Sequence, residues 1–238
     1  MEWSKPAARM REMALAIRAI WNTWLTGEKL EFRGEFYQHT LMTPMFSPAA
    51  SDLDGFGPPK MFLAGVGPLM TEVAGEAFDG FICHGFTTEK YLREVTIPAL
   101  QRGREKAGKT MEGFEIVGPS FVVTGNNDEE IEKAAIATRK QIAFYGSTPA
   151  YRPVLDMHGW GGLQDELNSL SKQGKWDKMG TLINDEILNT FAVVGEPETI
   201  AAELGSRYSD VIQRLSFYAP YASDPDRWAN VMADLRAF

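Results

Sequence analysis

The chain has 238 residues, enough for one large domain or two small ones with a sizeable core. At 44% hydrophobic and 24% charged it reads as globular, which excludes a disordered or fibrous chain. A net charge of −8 argues against broad nucleic-acid binding, which needs a basic surface, and no apolar run of about 18 residues offers a membrane span.

Residues 4 to 26 predict an amphipathic helix. Ser4 and Pro6 mark its start and Thr26-Gly27 its end, while Met10, Met13, Ala14, Ile17, Ile20, Trp21 and Trp24 recur every three or four residues. Its wide aromatic face needs a large partner surface. Leu30 to Arg33 and Glu35 to Tyr37 alternate about Gly34 as a small hairpin. Residues 40–59 hold Pro44, Pro48, Gly55, Gly57, Pro58 and Pro59, have no period and predict a surface loop.

A strand-then-helix rhythm follows. Lys60 to Ala64 is a short apolar strand, Gly65-Val66-Gly67-Pro68 turns the chain, and a helix runs to Phe78. Gly80 to His84 is a second strand, and Thr87 or Thr88 caps a helix to Ala107. Phe114 to Thr124 is a third strand. Asn127 with Glu130 has the spacing of a capping box and opens a helix to Tyr145. Residues 147–190 break the rhythm with Pro149, Pro153, Gly159, Gly161 and Gly162, and predict an insertion of two or three short helices. Phe191 to Gly195 leads into a helix over 197–208. Val211 to Tyr218 is the fourth strand, and Ser223 caps a last helix with Asp224 and Asp226 in its first turn.

Strands separated by helices predict an α/β fold with parallel pairing. Four such strands are present. A closed eight-stranded barrel takes roughly 250 residues at its typical size, and the insertions leave too little chain for eight units. The single cysteine, Cys83, excludes an internal disulfide, and the segment from Met1 to Pro6 has no signal-peptide pattern, so a reducing cytoplasm is expected.

Several stretches together resemble the luciferase-like monooxygenase superfamily. They are Trp21 with Gly27-Glu28, Phe32 to Tyr37, Lys60 to Pro68, and Ala74 to Gly80. Ala143 to Tyr151, His158-Gly159-Trp160 and Phe191 to Pro197 are similar to the branch that uses the deazaflavin coenzyme F420. The resemblance implies a TIM-barrel type fold. The first helix matches the one after barrel strand four, and the four strands match strands five to eight. The chain is then one partial barrel domain over 1–238, with strands 5–8 and helices 4–8. Its first four strands are missing, and 147–190 forms a helical insertion over the barrel mouth.

The resemblance also implies an oxidoreductase moving a hydride between reduced deazaflavin and a small organic substrate, working as a homodimer. Ala64, Gly65, Val66, Gly67, Pro68 and Gly85 are the expected cofactor contacts. Glycines let backbone approach a ligand, and helix-start N–H groups favour phosphate, although a tight turn with no ligand has the same signature. His84, at a strand's carboxyl end, is the candidate acid/base, against an ordinary satisfied histidine. Tyr145, Tyr151, Arg152 and Tyr218 are candidates for substrate or cofactor-tail contact; Arg152 could instead be a surface arginine. His39, His158 and Cys83 read as structural. No metal cluster, Walker loop or nucleophile elbow is present. Two alternatives stand beside this reading: an FMN-dependent monooxygenase, and a truncated non-catalytic fragment or assembly module that needs a partner to complete its barrel.

Overall fold

A computed structural model describes residues 4–53, 55–222 and 224–236. They form two compact units. The first comprises Met1–Leu63, Gly67–Phe81 and Pro98–Phe114; the second comprises Ala64–Val66, Ile82–Ile97 and Glu115–Phe238.

In the first unit, α1 (Pro6–Thr26) begins with Pro6 at its first position and Lys5 as cap residue, and ends where Gly27 turns left-handed at φ 74° and returns its N–H to Thr23. Its Ala14 and Ala16 are buried. Arg11 pairs with Glu76, and Arg18 donates to the Ala77 carbonyl and to Asp79, which lays α1 along α3 (Pro68–Ala77).

The hairpin differs from its sequence reading. Its strands are β1 (Phe32–Arg33) and β2 (Gln38–His39), paired antiparallel, so Glu35, Phe36 and Tyr37 form the turn rather than an arm. The cause lies on α1. The Glu12 carboxylate accepts the N–H groups of Glu35, Phe36 and Tyr37 at 2.9, 2.7 and 2.7 Å, which holds them as a loop. The stretch over 40–59 is a surface loop, as expected, with a single turn α2 (Ala50–Leu53) and with Leu41, Met45, Phe46 and Phe56 exposed.

Strands β3 (Phe62–Ala64) and β4 (Gly80–Ile82) are sheet neighbours. Asp79 fastens them, donating its N–H to the Met61 carbonyl and accepting the Met61 N–H at 2.8 Å each. Thr88 caps α4 (Glu89–Tyr91) by accepting the Tyr91 N–H. The helix continues through a π turn over Leu92–Thr96 into α5 (Ile97–Lys106). Gly75 and Gly103 let α3 and α5 touch backbone to backbone, since a Cβ on either would strike a carbonyl of the other helix.

The second unit is organised by β5 (Glu115–Val123). It pairs parallel with β6 (Ala192–Val194) and with β7 (Arg214–Tyr218), in register Phe121↔Ala192 and Phe121↔Tyr218. The carbonyls of Val117 and Val123 accept from Cys83 and Gly195, whereas that of Ile116 accepts from Gln213. Carbonyls alternate sides along a strand. The chain leaving β4 therefore shares one edge of β5 with β6, and β7 takes the other. Strand β6 is an addition to the four predicted strands; its three residues are too short to show a period.

Helices α6 (Asp128–Gly146), α7 (Arg152–Asp156), α8 (Gly161–Lys172), α9 (Trp176–Thr181) and α10 (Asp185–Phe191) follow β5. Four helices thus fill 147–191 where two or three were predicted, and their apolar residues explain the extra order. Leu155, Leu167, Met179, Ile187 and Phe191 are buried in one cluster with Phe121 and Ile142. Asn127 caps α6 by accepting the Glu130 N–H; the Glu130 carboxylate returns to the Asn126 N–H, one residue earlier than the reciprocal bond of a capping box. After α11 (Pro197–Tyr208) and β7, Asp224 caps α12 (Pro225–Leu235), and Ser223, the predicted cap, lies outside the described residues. Phe217 packs on Trp228 of α12, whereas Arg214 and Ser216, pointing the other way from β7, are exposed. This exposed face is confined to the first part of β7, since Tyr218 on the same side stacks on buried Phe121.

Candidate functional site

Parallel strands deliver their carboxyl ends to one side, where α/β folds place their chemistry. In the second unit His84 follows β4 by two residues and Tyr218 ends β7. Tyr145 lies in the last turn of α6, and Tyr151 closes a short 3-10 turn over Pro149–Tyr151. All four side chains are half-buried.

Their geometry is specific. The Phe86 N–H donates to His84 Nδ1 at 3.0 Å. An amide can only donate, so Nδ1 is a bare acceptor and the neutral ring carries its proton on Nε2. Nε2 lies 3.2 Å from Tyr151 Oη and must donate to it. Tyr151 stacks on the imidazole at 4.6 Å and Tyr145 meets it edge-on at 4.7 Å. The Tyr145 and Tyr218 hydroxyls are hydrogen-bonded at 2.8 Å, and Tyr218 stacks on buried Phe121 at 4.6 Å. Gly85 makes this possible, since a Cβ there would sit 3.0 Å from the Tyr218 ring.

Burial favours the neutral forms of His84, Tyr151 and Tyr218. Burial lowers the His84 pKa. Burial raises that of Tyr151, and Tyr145 adds to it. Burial, with the bond to Tyr145, pushes Tyr218 up to about 12.

The remaining predicted residues fall elsewhere. Ala64, Gly65, Val66, Gly67 and Pro68 form the strand-to-helix turn, with Gly67 at φ 86° as the N-cap of α3. No side chain caps this helix, and a Cβ on Gly67 would meet nothing within 4 Å. Arg152 binds Asp165 at 2.8 Å and approaches Asp156 at 3.5 Å, a committed ion-pair network. His158 bonds the Thr88 hydroxyl through Nε2 at 2.9 Å and stacks on Trp160, and His39 stacks on Tyr37. Burial pushes the Cys83 thiol up to about 12. Tyr221 donates to the Val122 carbonyl and accepts from the Thr124 N–H, pinning the end of β5.

Sequence reasoning missed the Phe86 amide, because a tautomer-fixing bond has no residue signature. Among the described residues no group of three His, Cys, Asp or Glu side chains could hold a metal.

Comparison with known proteins adds to this geometry. The luciferase-like monooxygenase family matches residues 1–214. An uncharacterized protein of Mycobacterium tuberculosis is 51% identical over 215 residues, which are 90% of this chain and 62% of that protein. A 5,10-methylenetetrahydromethanopterin reductase of Archaeoglobus fulgidus is 26% identical over 205 residues, 83% of this chain and 56% of the enzyme. The solved coenzyme F420 dependent tetrahydromethanopterin reductase from Methanopyrus kandleri superposes with a TM-score of 0.71 at 17% identity, over 98% of this chain and 63% of that one, and shares its fold. The chain thus spans less than two thirds of the length of each of these relatives.

Proposed function

Since the chain belongs to the luciferase-like monooxygenase family, we propose that it serves a deazaflavin-dependent oxidoreductase acting on a small organic substrate. When bound, the deazaflavin supplies or accepts the hydride, and the protein supplies orientation and electrostatics. In this reading β3, β4, β5 and β7 stand for barrel strands five to eight and α1 for the helix after strand four. Strands one to four have no counterpart among the described residues in this reading, and 147–190 covers the barrel mouth. The two reductases support the family branch.

The observation that carries the proposal is the cluster of His84, Tyr145, Tyr151 and Tyr218 at strand carboxyl ends. The turn from Ala64 to Pro68 fits a cofactor phosphate: the Leu69 and Met70 N–H groups lead α3, and Gly67 leaves room before them. Gly85 and the His84 ring line the neighbourhood of the reacting groups. His84, with Nδ1 occupied and burial holding it neutral, acts as a hydrogen-bond donor rather than as a base.

The test is titration of the purified chain with coenzyme F420 and, separately, with FMN, followed by fluorescence quenching. Saturable quenching by F420, weakened by Gly67→Val, is the expected result. Quenching by FMN alone would transfer the reading to a flavin monooxygenase, and quenching by neither from folded protein would overturn it.

One observation favours a second reading, an assembly module. Along β7 a groove of about 850 Å³ is lined by Leu204, Tyr208, Ile212, Leu215, Trp228 and Met232, and Met232 is 45% exposed. Among the described residues β7 pairs only with β5. A free strand edge beside apolar side chains invites a further strand. Sedimentation of the isolated chain decides this: a monomer at all concentrations contradicts the assembly reading.

A further inference from the structure

Two hydroxyl protons of the strand-end cluster have no acceptor among the described residues. Tyr151 Oη receives the His84 Nε2–H, so its own proton is unused. In the Tyr145–Tyr218 bond one hydroxyl donates and the other receives, and the receiving hydroxyl keeps a proton to give. The two donors belong to one group, with the Tyr145 and Tyr151 ring centroids 6.2 Å apart at 85°.

The surroundings select what these donors can hold. Each hydrogen-bond and ring partner of the four residues is a neutral group. The nearest guanidinium in sequence, Arg152, is occupied by Asp165. A carboxylate or phosphate would find no counter-charge here, and a cation would find no carboxylate. An uncharged oxygen with two lone pairs, attached to an apolar body that lies on aromatic rings, satisfies both donors.

We propose that Tyr151 and the Tyr145–Tyr218 pair form a two-donor site for the carbonyl oxygen of the substrate, with His84 as a positioning residue that acts through Tyr151. The assignment of the substrate as a carbonyl compound rests on the oxidoreductase reading above; the donor site itself does not. Two fixed donors become more effective as negative charge gathers on the oxygen, because they need no reorganisation at that moment. The raised tyrosine pKa values suit this role, since the hydroxyls keep their protons at neutral pH.

The test uses the full chain and 4-(dimethylamino)cinnamaldehyde, whose absorption moves to the red when its carbonyl accepts hydrogen bonds. Saturable binding with a red shift is expected. Tyr151→Phe, and the double variant Tyr145→Phe/Tyr218→Phe, should each reduce the shift and weaken binding by about three- to tenfold, the value of one hydrogen bond. The triple variant of Tyr145, Tyr151 and Tyr218 to Phe should abolish the shift while circular dichroism shows an intact fold. His84→Gln, which keeps an amide donor near the Nε2 position, should retain the shift, and His84→Leu should reduce it, though no further than Tyr151→Phe does. Binding without a shift, a shift unchanged in the triple variant, or no binding by folded protein would each overturn the proposal. F420 titration of the same samples separates the two ideas. Cofactor binding without a probe shift removes the donor site alone, and a probe shift without cofactor binding removes the deazaflavin reading alone.

Discussion

The hydroxyl pair of Tyr145 and Tyr218 offers a test of the site that needs no ligand. Replacing either tyrosine by phenylalanine removes one oxygen and keeps the ring, so the stacking of residue 218 on Phe121 at 4.6 Å and the edge contact of residue 145 with His84 at 4.7 Å persist. What each variant loses is the same 2.8 Å bond. A net hydrogen bond of this kind contributes about 1 kcal/mol, and the half-buried hydroxyl left behind can turn to water. Each single variant should therefore lose about 1 kcal/mol of stability, and the double variant should lose about the same, not the sum of about 2 kcal/mol. The coupling of about 1 kcal/mol exceeds the scatter of about 0.3–0.5 kcal/mol seen for independent sites. Urea unfolding followed by tryptophan fluorescence measures all four corners of the cycle, with the slope checked for constancy. Strict additivity would refute the bond, and with it the account of which protons the cluster has to give.

Other consequences are open to direct measurement. Gly75→Ala and Gly103→Ala should each lower stability by about 1–3 kcal/mol despite a helix-propensity gain of up to about 1 kcal/mol, because the new methyl meets a backbone carbonyl of the facing helix. Gly162→Ala in α8, where a Cβ meets nothing, should be neutral or slightly stabilising in the same denaturant assay. His84 and His158 both have pKa values lowered from 6.5, chiefly by burial, so the unfolded chain binds more protons just below pH 6.5. Their contribution is fully present above pH 6.5 and is lost as pH falls through the folded values. Unfolding free energies at pH 7.5 and about 5.5 should show the drop, and His84→Gln should flatten it; an unchanged pH slope would contradict the burial argument. Cys83, with its thiol pushed up to about 12 and its side chain buried, should resist a thiol reagent in the native protein and react fully in urea.

Much of the fold was legible because local rules acted alone. The apolar period of α1, the Thr88 and Asn127 caps and the long apolar run of β5 each carry their own signal, and the structure places elements there. Errors occurred where a distant residue decides. Glu35, Phe36 and Tyr37 alternate like a strand, but Glu12, 23 to 25 positions away, takes their N–H groups and makes them a turn. Strand β6 exists because Val123 and its neighbours offer an edge to Ala192–Val194, not because three residues announce a strand.

The candidate site follows the same logic. His84 and Tyr218 were readable as strand-end residues, since strand order alone brings carboxyl ends to one side. Their chemistry was not readable, because it depends on pairings across 67 and 73 positions and on one backbone amide. A histidine at a strand end suggests a base. Here the Phe86 N–H occupies Nδ1 and leaves Nε2–H to donate to Tyr151, the arrangement on which the proposed donor site rests. The residue type limits what His84 can do, and the backbone around it selects which of those things it does.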